Sequence, residues 1–260
     1  MPRRSFSDVV TVARRFRGAL AVVAAVITIA ASAPSFAADF DGGYWLPGVA
    51  QGYFIQGSTA DAQTDNPNVT VDTSSAWSMV TNDCTSQSTC EFAQDGWLKN
   101  YYDSAPYYFY EYGGSSSSPN LFPGDPQPGS SAHAYTVVLT NPVWSGDTLQ
   151  SGTWNFEVDY QTLYSTSTIL FSPGGVEDMG EVHNTTDQSP GGYSTGAQIQ
   201  FSSLEYNNPS GWQNVFGYMQ LDGNSAPGDG PCGVTTNSTS NQYCYYSSST
   251  FSIWDSRYST

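Results

Sequence analysis

From Ala38 onward no window of a dozen residues escapes a Gly, a Pro or a cluster of β-branched and aromatic side chains, so a long helix has nowhere to form. Apolar and polar residues alternate instead in Trp77-Ser-Met-Val, Tyr107 to Tyr112, Ala134 to Leu139, Thr153 to Tyr160, Ser167 to Phe171, Gly180 to His183, Gln198 to Leu204 and Phe251 to Trp254. That period of two belongs to half-buried strands. Ser-Pro-Gly-Gly occurs at 172–175 and again at 189–192, as turn punctuation would. The expectation is all-β: about eight to twelve short strands in a two-sheet antiparallel sandwich of the jelly-roll or concanavalin-like kind. Three stretches, Asp61 to Asn68, Gly113 to Ser131 and Asp222 to Asn241, read as loops without strands. The middle one is too long for a hairpin turn and is expected to arch over one edge of the sandwich.

The first 37 residues have a different character. Arg3, Arg4, Arg14, Arg15 and Arg17 precede an apolar run from Ala19 to Ala31 and a small-residue site, Ser35-Phe36-Ala37. A positively charged start, an apolar stretch too short to span a bilayer and small residues that fit a peptidase pocket make a secretory signal. The expected division is a signal peptide, 1–37, and a single β-sandwich domain, 38–260, secreted, without stable membrane association once the signal is cleaved. Arg3-Arg4-Ser5-Phe6 leaves the general and twin-arginine export routes both open.

Removing residues 1–37 takes five Arg and Asp8 from the seven cations and 23 carboxylates; what remains, Lys99 and Arg257 against 22 acids, carries −20. Such a surface repels nucleic acid and anionic lipid. So few cations also leave most carboxylates to pair with water, backbone N–H groups, metal ions or one another, a hint of tolerance to mildly acidic surroundings. Cys84, Cys90, Cys232 and Cys244 all follow the signal. An even count in an exported chain reads as disulfides, with Cys84–Cys90 and Cys232–Cys244 favoured because each closes a short polar loop. No Cys-x-x-Cys spacing occurs, neither His lies near a Cys, and no cofactor fingerprint is present, so neither a metal centre nor a cofactor is expected. Asp222 to Asp229 is rich in oxygen donors but lacks the spacing of a calcium loop.

Polar groups embedded in apolar strands are the places to look for chemistry, because a carboxyl or amide there costs free energy unless it has a partner or a task. Three segments qualify. In Cys90 to Trp97, alternation puts Phe92, Gln94 and Gly96 on one face and Glu91, Ala93, Asp95 and Trp97 on the other. In Tyr107 to Tyr112, Glu111 shares a face with Tyr107 and Phe109, opposite Tyr108, Tyr110 and Tyr112. In Met179 to Thr185, Glu181 and His183 share a face, a pair able to transfer protons, with Asp187 in the loop beyond.

Between Ser75 and Tyr206 these segments resemble, in order, the motifs of the glutamic peptidases (eqolisins). Ser75-Ala76-Trp77 is similar to that family's Trp-bearing strand, Ala93-Gln94-Asp95-Gly96 to its Gln-bearing strand, Tyr110-Glu111-Tyr112 to its aromatic strand around Glu, and Gly180-Glu181-Val182 to the strand of its catalytic Glu. The resemblance implies a jelly roll that hydrolyses peptide bonds in acid without a metal. Glu181 would be general base toward a water, Gln94 would orient that water and stabilise the oxyanion, and Glu111 would support them. Trp77, Trp97, Tyr110 and His183 would bind substrate. Where family members continue with an aromatic-apolar strand, Val182 to Asp187 is polar, and the segment Gly180 to Gly192 resembles a sister set of exported actinobacterial β-proteins. The plant neprosin-type peptidases would nominate Glu111 and Glu181.

A polypeptide substrate and a monomer follow from that reading. The alternative is a non-catalytic, sugar-binding or cell-envelope-associated sandwich. Seven Trp and eighteen Tyr are available, among them Trp97, Tyr101, Tyr102, Tyr107 and Trp144, and such rings stack on pyranose faces. Two strand-borne carboxylates, Glu111 and Glu181, also meet the minimum for a glycosidase. A flat row of exposed rings would favour sugar, and a Gln94 amide and a Glu181 carboxylate within one water's reach would favour peptide hydrolysis.

Overall fold

A computed structural model describes residues 39–45, 54–72, 75–83, 91–114, 117–124, 126–168, 171, 173–184, 187–188, 190–192, 198–214, 220–223, 242–246 and 250–255. Among them lie β1 (Asp39–Trp45), β2 (Gly57–Gln63), β3 (Ser75–Asp83), β4 (Glu91–Asn100), β5 (Tyr107–Gly114), β6 (Asn120–Leu121), β7 (Ala132–Ser145) and β8 (Thr148–Val158). They are followed by β9 (Gln161–Thr166), β10 (Gly175–Val182), β11 (Ile199–Asn208), β12 (Gly211–Asn214), β13 (Gln220–Gly223), β14 (Gln242–Tyr246) and β15 (Phe251–Asp255). One sheet runs β13-β1-β10-β3-β4-β5-β6 and the other β14-β15-β11-β2-β7-β8-β9, with β12 beside β11. The strand pairs are antiparallel, and the described residues contain no helix, as an all-β sandwich requires.

Alternate residues of a strand face the two sides of its sheet. In β4, Ala93 and Trp97 are sealed between the sheets, the Trp97 indole N–H donating to the Gln63 carbonyl at 3.1 Å across the interior. Trp154, Tyr135, Phe156, Phe201 and Phe251 fill the same layer from the second sheet. Gly180 turns its missing side chain inward on β10. A Cβ there would collide with Ile253 of β15 and press on Pro190, so this glycine allows the second sheet to close on the first.

The strand pattern extends further than alternation alone suggested. β2 falls partly within the expected 61–68 loop; its small residues carry no strong apolar rhythm, yet as a central strand between β11 and β7 it is buried along most of its length. Gly57 lies so close to the backbone of Val137 and Val138 that a side chain would not fit. The ninth strand occupies Gln161–Thr166, where alternation indicated none, because Asp159 and Tyr160 take the left-handed conformation (φ 51° and 63°) and form a tight hairpin turn from β8; of the expected strand from Ser167 to Phe171, the described residues 167, 168 and 171 are not in a strand. The 113–131 segment also contains a strand, β6, and sends Phe122 into the core.

The signal segment, residues 1–37, lies outside the described residues, as do the side chains of all four cysteines and residues 224–229 of the oxygen-rich loop.

Candidate active site

The outer face of the first sheet, turned away from the second, carries the groups of interest. β4 and β5 pair with Gln94 directly opposite Glu111, and the Gln94 Nε2 amide donates to Glu111 Oε2 at 3.0 Å. The other carboxylate oxygen, Oε1, accepts from the hydroxyl of Ser117 at 2.8 Å. Both Gln94 and Glu111 are largely buried, 8% and 7% exposed. Burial raises the Glu111 pKa above its ordinary value, and the bonds from Ser117 and Gln94 pull it back down.

Glu181 lies on the same face of β10, beside Trp77 in the register with β3. The residue keeps some surface exposed, yet its carboxyl is closely surrounded by protein. Desolvation pushes its pKa up to about 8; a bond from the Trp77 side chain opposes this and the charge of Glu111 adds to it. Glu181 and Glu111 are three strands and four residues apart in register, at opposite ends of a diagonal across the face.

Register also brings in a residue that the sequence reading missed. Glu177 on β10 pairs with Thr81, Thr81 with Gln94, and Gln94 with Glu111, a straight row across four strands. Glu177 has the parity of Met179 and Glu181, is half-buried, and lies two strands, about 10 Å, from Gln94 along the row. Parity would have shown it had the strand been started at Gly175 instead of Gly180. Phe109 and Met179, in the register row between the polar row and the Trp77 row, form a separate apolar cluster with Leu98 of the Trp77 row, and Trp77 and Leu121 are at its margin.

The same parity puts two of the expected substrate contacts on the opposite face. Trp97 is 0% exposed within the inter-sheet core and cannot reach a ligand. Tyr110 faces inward at the sandwich edge, stacked on Tyr164 at 4.1 Å and against Phe122 and Phe156. Trp77 is on the outer face, and His183 sits just past the end of β10, its backbone N–H bonded to the Ser75 carbonyl at 2.9 Å. Asp187 is an anchor: its Oδ1 accepts from Thr70 N, Thr70 Oγ1 and Val71 N at 2.7, 2.8 and 3.1 Å.

The rings proposed for sugar do not form a row. Tyr101 and Tyr102 meet edge to face on the β4–β5 turn, Tyr102 donating to Asp72, while Trp144 sits on β7 of the other sheet, edge-on to Phe54.

Fold and site together define a two-sheet antiparallel sandwich with a carboxamide and several carboxylates on the outer face of one sheet. Solved glutamic peptidases share this two-sheet fold. Scytalido-glutamic peptidase bound to a transition-state analogue inhibitor superposes with a TM-score of 0.54 at 14% identity, over 84% of this chain and 98% of that one. A second complex of scytalido-glutamic peptidase, with a peptide-based transition-state analogue, gives 0.51 at the same identity and coverage. SCP-B, a member of the eqolisin family in complex with the tripeptide Ala-Ile-His, gives 0.50, again at 14% identity and the same coverage. Neither a family model nor a curated protein matches the sequence. At this identity the likeness establishes the fold.

Proposed function

We propose that this chain is a secreted hydrolase of peptide bonds, active in acid, and that the outer face of the first sheet is its active site. The observation that carries the reading is the Gln94 amide, bonded to Glu111 and sharing its face with Glu177 and Glu181. Gln94 orients the attacking water and donates to the oxyanion of the tetrahedral intermediate. Proton transfer divides between two carboxyl groups. A group held protonated up to about pH 8 is a proton donor in acid, so Glu181 delivers a proton to the leaving amine. The base that takes the water's proton must be another carboxylate, and Glu177, in the register row of Gln94 two strands away, is the candidate. Trp77 steadies Glu181 and Glu111 steadies Gln94. The fold similarity to two structures of a glutamic peptidase with transition-state analogues supports a polypeptide substrate.

The test is cleavage of an unfolded protein substrate from pH 2 to 7 by residues 38–260, beside Gln94→Ala, Glu177→Gln and Glu181→Gln. Acid activity that falls about a hundredfold or more in each variant, with thermal unfolding unchanged, is the expected result. A protein that cleaves nothing at any pH overturns the reading.

A further inference from the structure

We propose that Ser117 governs which way the Gln94 carboxamide faces, acting through Glu111; as a role in catalysis this rests on the peptidase reading above. An ionised carboxylate can only accept, so the part of Gln94 that meets Glu111 Oε2 is its NH2 group, and its carbonyl oxygen is turned elsewhere. The terminal torsion of a Glu side chain is soft, and one bond would leave the carboxylate free to rock. The Ser117 hydroxyl on Oε1 removes that freedom: with both oxygens held, Glu111 is a fixed acceptor and the amide has one orientation.

Ser117 is delivered by a segment tied down at several described residues. Gly113 takes φ 122°, the Ser117 N–H closes a turn onto the Gly114 carbonyl at 2.8 Å, and Asn120 and Leu121 pair with Tyr110 and Phe109 of β5. Phe122 is 1% exposed in the core, and the Tyr108 N–H reaches the Pro126 carbonyl at 3.0 Å. His133 Nε2 meets the Pro128 carbonyl at 2.8 Å. Residues 117–124 and 126–128 therefore form an edge strap that places one hydroxyl on the Glu111 carboxylate. The groups facing Glu111 are Gln94 from β4, Ser117 from the strap, Glu181 from β10 through its charge, and Glu177 from β10 along the register row. Of these, Ser117 and Gln94 favour its ionised form, against burial.

The Gln94 side-chain amide reports the arrangement directly. In 15N-labelled protein its NH2 resonances are followed from pH 2 to 8 in the wild type and in Ser117→Ala, Ser117→Thr and Glu111→Gln, with Glu111→Gln identifying the transition by abolishing it. Ser117→Ala is expected to move the midpoint to higher pH by about half a pH unit or more, and Ser117→Thr to restore it. In the cleavage assay, Ser117→Ala is expected to lower kcat about tenfold with KM unchanged and to shift the acid limb of the profile the same way. An unmoved midpoint in Ser117→Ala overturns the inference. The spectra need no substrate, so an inactive protein whose midpoint shifts defeats the peptidase reading and leaves the Ser117–Glu111–Gln94 coupling standing.

Discussion

Gln94 and Asp95 are neighbours on one strand, and the two faces of the sheet treat them differently. Gln94, on the outer face, bonds to a carboxylate within its own sheet. Asp95 points between the sheets, is 0% exposed, and uses Oδ2 to accept from the Glu157 N–H of the opposite sheet at 3.1 Å. Burial pushes the Asp95 pKa well above the usual carboxylate range, and it does the same to Asp178, which faces inward on β10. A buried polar group is thus no pointer to function by itself: inward it joins the scaffold, and only outward, beside other polar groups, is it a candidate for a site. Trp97 and Trp77 repeat the contrast in apolar form, the first in the core and the second at the edge of the outer apolar cluster.

The tryptophans provide the harshest test. Trp97→Ala is expected to cost about 3–5 kcal/mol in urea unfolding, as removal of a sealed aromatic does. Trp77→Ala should cost clearly less while removing a donor that lowers the Glu181 pKa, so that Glu181 titrates at still higher pH. Equal losses of stability would erase the distinction between the faces.

Asp187 sharpens it next. Its three donors tie the segment after β10 to Thr70 and Val71, and Asp187→Ala should cost about 2–3 kcal/mol, read by the same unfolding curves. A loss of activity with stability intact would instead return Asp187 to the site.

The smallest effect is a slope. Asp95, Asp178 and Glu181 have folded-state pKa values above their ordinary ones, so the folded chain holds protons that the unfolded chain releases. Their stabilising contribution is complete below about pH 4 and is lost as pH rises, for Glu181 over the interval from 4.5 to about 8. Tm should therefore fall between pH 4 and 8, and Asp95→Asn, neutral throughout, should flatten that fall. A Tm that rises toward pH 8 would show that these carboxyls are ionised in the folded protein.

Sequence alone determined the strand character and, within a strand, the face of each residue. Alternation is a local property of an extended chain, so Gln94 separates from Trp97, and Glu111 from Tyr110, before any partner strand is known. The same rule already placed Trp97 and Tyr110 opposite the candidate catalytic residues. Which strands pair, and in what register, belongs to the tertiary structure. β10 lies beside β3 although more than ninety residues separate them in the chain, and that register places Glu177 in line with Gln94. Ser117 was hidden for a related reason: a two-residue edge strand has no periodicity to read, and only its pairing with β5 fixes where the hydroxyl goes. Register is chosen by packing between the sheets, where a slip of one residue would exchange the two faces. The short-range pattern supplied the groups, and the long-range core decided which of them meet.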